Sequence, residues 1–129
     1  MAEATYQPLE IAPGVFWVGA VDWDVREFHG HHYHTARGTT YNAYLVRGER
    51  TALVDTVHAP FAGELFARLE PLLPLPRLDY LVVNHVESDH SGALPQVMAR
   101  APRLPSSAPG AASGVCASTM PLTAGAASR

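Results

Sequence analysis

Apolar positions along this chain change their spacing in an order that predicts alternating strands and helices. Val15-Phe-Trp-Val, set between Gly14 and Gly19, is aromatic and β-branched and predicts a short strand. Tyr41-Asn-Ala-Tyr-Leu-Val predicts a second strand. Arg47-Gly-Glu-Arg follows as a turn, and Thr51-Ala-Leu-Val-Asp returns as a third strand, so the pair predicts a β-hairpin. From Pro60 the period lengthens. Phe61, Leu65 and Leu69, with Phe66 alongside, have the spacing of an amphipathic helix with proline near its first turn. Leu72 to Pro76 is a proline-punctuated link. Tyr80-Leu-Val-Val-Asn is a continuous apolar run, which predicts a strand buried on both faces. Ser91 to Arg100 predicts the start of a helix. This alternation predicts an α/β protein with helices packed on a sheet.

From Ala101 the pattern stops. Residues 101–129 are dominated by Ala, Ser, Pro and Gly, with no acidic residue and no aromatic. Neither period persists, and such composition does not build a core. The chain therefore divides into a folded domain at 1–100 and a low-complexity, disordered tail at 101–129. A shifted reading frame in GC-rich DNA would write similar text. The basic residues fit that composition, since all are Arg and none is Lys. No chemistry is expected in the tail, and Cys116 reads as an incidental thiol.

A length of 129 residues suits one modest domain. Such a domain buries about 65–70% of its unfolded surface, enough for a real core. The net charge of -3 comes without a basic stripe, which argues against nucleic acid as a partner. A single cysteine excludes an internal disulfide and fits a reducing compartment. No apolar run is long enough to span a membrane, and the first residues lack the basic and apolar regions of a signal peptide. The expected location is cytoplasmic.

The chemistry is concentrated in Asn84–Pro95, NHVESDHSGALP, directly after the Tyr80 run. In open α/β sheets, ligands bind beyond the carboxyl ends of strands. His85, Glu87, Asp89 and His90 offer imidazole nitrogen and carboxylate oxygen together, a donor set that suits iron, zinc or manganese. In an extended segment alternate residues point one way, so His85, Glu87 and Asp89 would converge, with His90 facing in from the turn. Ser91-Gly92 allows a sharp bend into the next helix. The simpler alternative is a solvated loop in which Asp89 or Ser91 caps that helix. A second histidine crowd, His29, His31, His32 and His34, reads most simply as a polar surface loop. Asp55 would either orient a ligand histidine or cap a strand-to-loop turn. Tyr41 and Asn42 read as turn and strand residues, His58 as exposed, and Trp17 and Trp23 as core or pocket-wall aromatics.

The string H-x-E-x-D-H-S-G resembles the metal motif of the metallo-β-lactamase superfold, in the variant of the flavodiiron proteins, or A-type flavoproteins. Ile11-Ala-Pro-Gly-Val-Phe-Trp-Val-Gly, Val21-Asp-Trp-Asp-Val-Arg-Glu-Phe-His-Gly, Gly38-Thr-Thr-Tyr-Asn-Ala-Tyr-Leu-Val and Leu53-Val-Asp-Thr-Val also resemble that family, in order, over about residues 6 to 100. The resemblance implies the N-terminal half of an αββα sandwich. It implies a diiron site that reduces dioxygen to water or nitric oxide to nitrous oxide. His85 and Glu87 would bind one iron and Asp89 the other. His90 would join them, although water displaces it in some members, and His29 would line the pocket behind the ligands. FMN, head-to-tail homodimers and rubredoxin-like electron donors are further implications. Hydrolases of the superfold carry His where this chain has Glu87. A carboxylate stabilises ferric iron, whereas hydrolytic zinc gains no redox benefit from it.

After His90 the sequence has no further His, Asp or Glu. The family's downstream ligands, the second half of the sandwich and the FMN domain are absent from it, and no phosphate loop replaces the last. A fragment that is inactive alone is therefore expected, whether truncated or frame-shifted after about residue 100. The competing readings are a shortened zinc hydrolase and a small non-enzymatic metal-binding or interaction domain.

Overall fold

The computed structural model describes residues 6–28, 30–104 and 115–116. The strands are β1 (Leu9–Ala12), β2 (Val15–Trp17), β3 (Ala20–Asp22), β4 (Glu27–Phe28), β5 (Tyr33–His34), β6 (Thr39–Tyr41), β7 (Tyr44–Arg47), β8 (Thr51–Val54), β9 (Tyr80–Val82) and β10 (Val115–Cys116). The helices are α1 (Ala62–Leu69), α2 (Ser88–Ser91) and α3 (Leu94–Arg100). One sheet runs in the order β1-β2-β7-β8-β9-β10, while β3–β6 and β4–β5 form separate two-stranded ribbons. β7 and β8 make the expected antiparallel hairpin. β9 then lies parallel to β8, with α1 in the crossover between them. This is the strand–helix–strand unit that the changing period predicts.

Register explains the core. Phe16, Leu45, Leu53 and Leu81 stand side by side across β2, β7, β8 and β9 and therefore share a face. Leu45, Leu53 and Leu81 are fully buried there, in one cluster with Leu65 and Leu69 of α1 and Val97 of α3. The next rung, Val15, Val46, Ala52 and Tyr80, points the other way. Val46 and Tyr80 are exposed, as are Leu9 and Ile11 of β1. One face of the sheet is thus closed by helices, and apolar side chains of the opposite face reach solvent.

Three expectations are corrected. The strand expected from Tyr41 breaks at Asn42–Ala43, between β6 and β7. A matching break at Val18–Gly19 separates β2 from β3, so both partners change sheet together. Gly19 is needed at this corner, because a Cβ there would lie 2.1 Å from the Tyr41 carbonyl oxygen. The Tyr80 run is buried on both faces only in part. Leu81 is fully buried but Tyr80 is 42% exposed, since it points to the open face. The helix expected from Ser91 starts only at Leu94, as α3, while Ser91 instead ends the short α2. Pro95 sits in the first turn of α3. It has no N–H, and its ring would strike a carbonyl one turn earlier in a continuous helix.

Ala101 and Leu104 complete the core, and Val115–Cys116 runs parallel to β9. The remainder of the expected tail, 105–114 and 117–129, lies outside the described residues, and so does His29. Among the described residues no helix is long and apolar enough to cross a membrane.

Candidate metal centre

The motif loop starts where β9 ends and is fixed at both ends by the residues that follow β8. Asp55 has φ of 58°, in the left-handed region that few residues other than Gly, Asn and Asp adopt. Its own N–H donates to the Val82 carbonyl at 2.8 Å. Its buried carboxylate accepts from the backbone N–H groups of Asn84 at 2.7 Å and His85 at 3.0 Å. Asp55 therefore ties the strand ends together and sets the loop's entry. Of its two expected roles, the structure places it in the turn-capping one, on backbone amides rather than on an imidazole. At the far end, Thr56 donates its N–H at 2.8 Å and its hydroxyl at 2.7 Å to the His90 carbonyl. The Ala93 N–H donates to Val57 at 2.9 Å. Gly92 passes so close to the preceding segment that a Cβ would lie 2.5 Å from the Ala59 nitrogen.

Between these anchors the chain has no regular structure up to Glu87, which is itself extended, and then turns into α2. Asp89 and His90 are consequently helical, and strand-like alternation does not carry as far as Asp89. Convergence still results: donor atoms of His85, Glu87 and Asp89 all lie within 4.8 Å of one another. His85 Nε2 is 3.8 Å from Glu87 Oε2. His90 stands outside that trio but beside it. Its Nε2 is 3.6 Å from Asp89 Oδ2, and its ring meets that of His85 edge-on at 5.2 Å. Neither Asp89 nor Ser91 caps a helix with its side chain; the Ser91 hydroxyl donates to the Val86 and Glu87 carbonyls.

One atom tests whether this set fits a cation. Asp89 Oδ1 is buried and has no hydrogen-bond partner among the described residues. Buried carboxylate oxygens are ordinarily paired, because an unpaired one forfeits its hydration. A carboxylate with one unpartnered buried oxygen, in a residue that also offers a donor atom within 4.8 Å of two others, is what a metal ligand looks like before the metal arrives, so the residues fit.

Behind these donors lies a second layer, in which only Trp17 was expected, as a core or pocket-wall aromatic. His90 Nδ1 approaches the Asn42 carbonyl at 3.3 Å, and Asn42 Oδ1 accepts from the Trp17 indole N–H at 2.9 Å. Tyr41 donates to Asp22 at 2.8 Å and packs its ring against His58 at 5.6 Å. Burial first, then Asp22 as acceptor and the charges of Asp22 and Asp89, push the Tyr41 phenol far above its ordinary value. Burial also acts to raise Asp22. The hydrogen bonds from Tyr41 and from the amides of Asp24 and Val25, with His58 nearby, outweigh it and hold Asp22 below the usual carboxylate value.

Several expectations change here. His58 is half-buried against Tyr41 rather than exposed. Trp17 is half-buried, whereas Trp23 is 67% exposed and belongs to no core. His31, His32 and His34 are exposed on the β4–β5 ribbon, where His31 and His34 lie 2.6 and 3.9 Å from Glu27. That is the expected surface loop. The signal for Asn42 was available in principle: a polar residue interrupting an apolar strand run.

No family model matches the chain. It is 57% identical over 96 residues to a nitric oxide reductase of Moorella thermoacetica, an alignment covering 74% of this chain and 24% of that protein. Among solved structures it is similar to the rubredoxin oxygen:oxidoreductase of the anaerobe Desulfovibrio gigas, with TM-score 0.71 and 45% identity over 74% of this chain and 24% of that one. The flavodiiron protein of Giardia intestinalis gives TM-score 0.67 and 43% identity over the same shares. A metallo-β-lactamase from Cronobacter sakazakii, at 20% identity and TM-score 0.55 over 74% of this chain and 32% of that one, agrees in fold alone. The chain spans about a quarter of the length of that nitric oxide reductase.

Proposed function

From the premise that this chain belongs to the flavodiiron proteins and carries the N-terminal part of their metallo-β-lactamase-like domain, we propose that the Asn84–Pro95 loop supplies the first ligands of a non-haem diiron centre. His85 and Glu87 would hold one iron, Asp89 the other, and His90 would complete the set. The observation that carries this is the convergence of donor atoms of His85, Glu87 and Asp89 within 4.8 Å of one another, beside a buried Asp89 oxygen without a hydrogen-bond partner among the described residues. Iron bound there would supply the redox centre that delivers electrons to nitric oxide, giving nitrous oxide, or to dioxygen, giving water. The chain's own contribution is positional. Asp55 and Thr56 hold the loop at its two ends, and the carboxylates of Glu87 and Asp89 set the charge of the site.

Glu87 favours iron over hydrolytic zinc, because an anionic oxygen donor stabilises the ferric state. The names of the relatives, nitric oxide reductase and oxygen oxidoreductase, support the same choice. No His, Asp or Glu follows His90 in these 129 residues. The remaining ligands, the FMN and the contact for a rubredoxin-like donor would then come from residues outside them, in a head-to-tail dimer located in the cytoplasm. Without those ligands the 129 residues would bind iron weakly and turn over neither gas. His29, outside the described residues, is proposed as a pocket residue behind the ligands.

Anaerobic titration with Fe(II), followed by calorimetry, tests the site. Uptake is expected in the unaltered chain and is expected to vanish in Asp89→Ala. Equal uptake by the Glu87→Ala, Asp89→Ala double variant would refute it.

A further inference from the structure

We propose that Asn42, gripped by Trp17, is a positioning residue that holds His90 with its proton on Nδ1 and its bare Nε2 turned towards Asp89. This rests on reading His90 as a metal donor, and it adds the device that makes it one. The argument starts from what a carbonyl can do. The Asn42 backbone oxygen only accepts, so the ring nitrogen 3.3 Å away must carry the hydrogen. A neutral imidazole has one N–H, which leaves Nε2 with its lone pair exposed. That lone pair lies 3.6 Å from a carboxylate oxygen. With the ring neutral, two acceptors at this separation repel unless a cation lies between them, so the pair is a ready seat for one.

The carbonyl is free for this task because the strand breaks there. Pairing with β3 ends at Tyr41 and pairing with β2 resumes at Tyr44. The Ala43 carbonyl accepts from Val18, and that of Asn42 is left for His90. The break is then fixed from behind. Asn42 Oδ1 accepts from the Trp17 indole at 2.9 Å. The Arg68 guanidinium lies 4.9 Å over the Trp17 ring and donates to the Gly19 carbonyl at 2.8 Å and to Glu64 at 3.1 Å. An unbroken line of contacts therefore runs from helix α1 to the imidazole. Partners of this kind, which fix the tautomer of a ligand histidine, ordinarily matter for metal affinity.

The test is the tautomer of His90, read by long-range proton–nitrogen NMR on the metal-free chain about two pH units above the ordinary imidazole value. The unaltered chain is expected to show His90 protonated on Nδ1. Asn42→Ala and Trp17→Phe are each expected to shift it towards the Nε2-protonated form. Asn42→Asp keeps an oxygen for the indole and is expected to restore the original spectrum. Affinity for Co(II), as the probe, should fall roughly tenfold in Asn42→Ala and recover in Asn42→Asp. An Nε2-protonated His90 in the unaltered chain would overturn the proposal without any variant having to fold. So would an unchanged tautomer in both Asn42→Ala and Trp17→Phe. If the tautomer responds as expected but the unaltered chain takes up no Co(II), the positioning stands and the metal reading fails.

Discussion

Replacing Asp55 by Ala should unlatch the motif loop, and the size of the effect can be worked from two hydrogen bonds. The carboxylate is buried and accepts from the amides of Asn84 and His85 at 2.7 and 3.0 Å. A hydrogen bond to a charged group contributes about 1.5–3 kcal/mol, so losing both costs about 3–6 kcal/mol. Alanine would also have to hold φ of 58°, which adds about 1 kcal/mol or more. Against a typical stability of about 5–15 kcal/mol, that is a large fraction of the whole. Asp55→Asn is the informative companion. It keeps an acceptor oxygen and tolerates the left-handed backbone, so only the charge is lost and the cost should be about 1–2 kcal/mol. Urea unfolding followed by circular dichroism measures both, with a lowered midpoint and an unchanged slope expected. A shift below about 1 kcal/mol in Asp55→Ala, or equal damage in the two variants, would refute the latch.

Other consequences are open to measurement. Alkaline titration followed at the tyrosinate absorbance should leave Tyr41 un-ionised beyond the ordinary tyrosine range, because burial and Asp22 raise it. A raised value stabilises the fold below the unfolded tyrosine pKa, and that share is lost as pH climbs through the folded one. Asp22 works in the opposite sense. Its value is lowered, so its contribution is present above the ordinary, unfolded carboxylate value and disappears as pH falls through the folded one. Tyr41→Phe should therefore be less stable at neutral pH by about 1 kcal/mol, with the gap closing in acid, as acid denaturation curves would show. Gly92→Ala should lose about 1–3 kcal/mol, since its Cβ would lie within 2.6 Å of two backbone atoms, the Ala59 nitrogen and the Ser88 oxygen. Val46→Lys with Tyr80→Lys should raise solubility at little cost in thermal midpoint, because both side chains already reach solvent.

The parts of the fold legible in the sequence are those where one face is buried and the period is unambiguous. The β7–β8 hairpin and helix α1 belong here, because Leu45, Leu53, Leu65 and Leu69 fall at the spacing their elements require. Tyr80 shows the limit. An apolar run predicts burial on both faces only when both faces have something to meet. The two-residue strands β4 and β5 carry no readable period at all. The Asn84–Pro95 loop was legible as a cluster of potential donors, but its geometry was not. Asp89 arrives by a helical turn, and Pro95, the local signal that a helix from Ser91 could not run on unbroken, went unread. Asn42 and Asp55 act through one carbonyl and one carboxylate on residues 48 and up to 30 positions away. Contacts of that range leave no mark in a sequence window.

The latch at Asp55 also fixes an order of events. The amides it holds belong to a segment that reaches β8 only after the α1 crossover has folded back and β9 has paired in parallel. Such pairing closes a long loop before any contact rewards it, and so tends to be slow. Until it occurs, His85, Glu87 and Asp89 are merely neighbours on a flexible strand end. Metal uptake during refolding should therefore lag the appearance of helix and follow the docking of β9, making a coloured ion such as Co(II) a clock for the completion of the sheet.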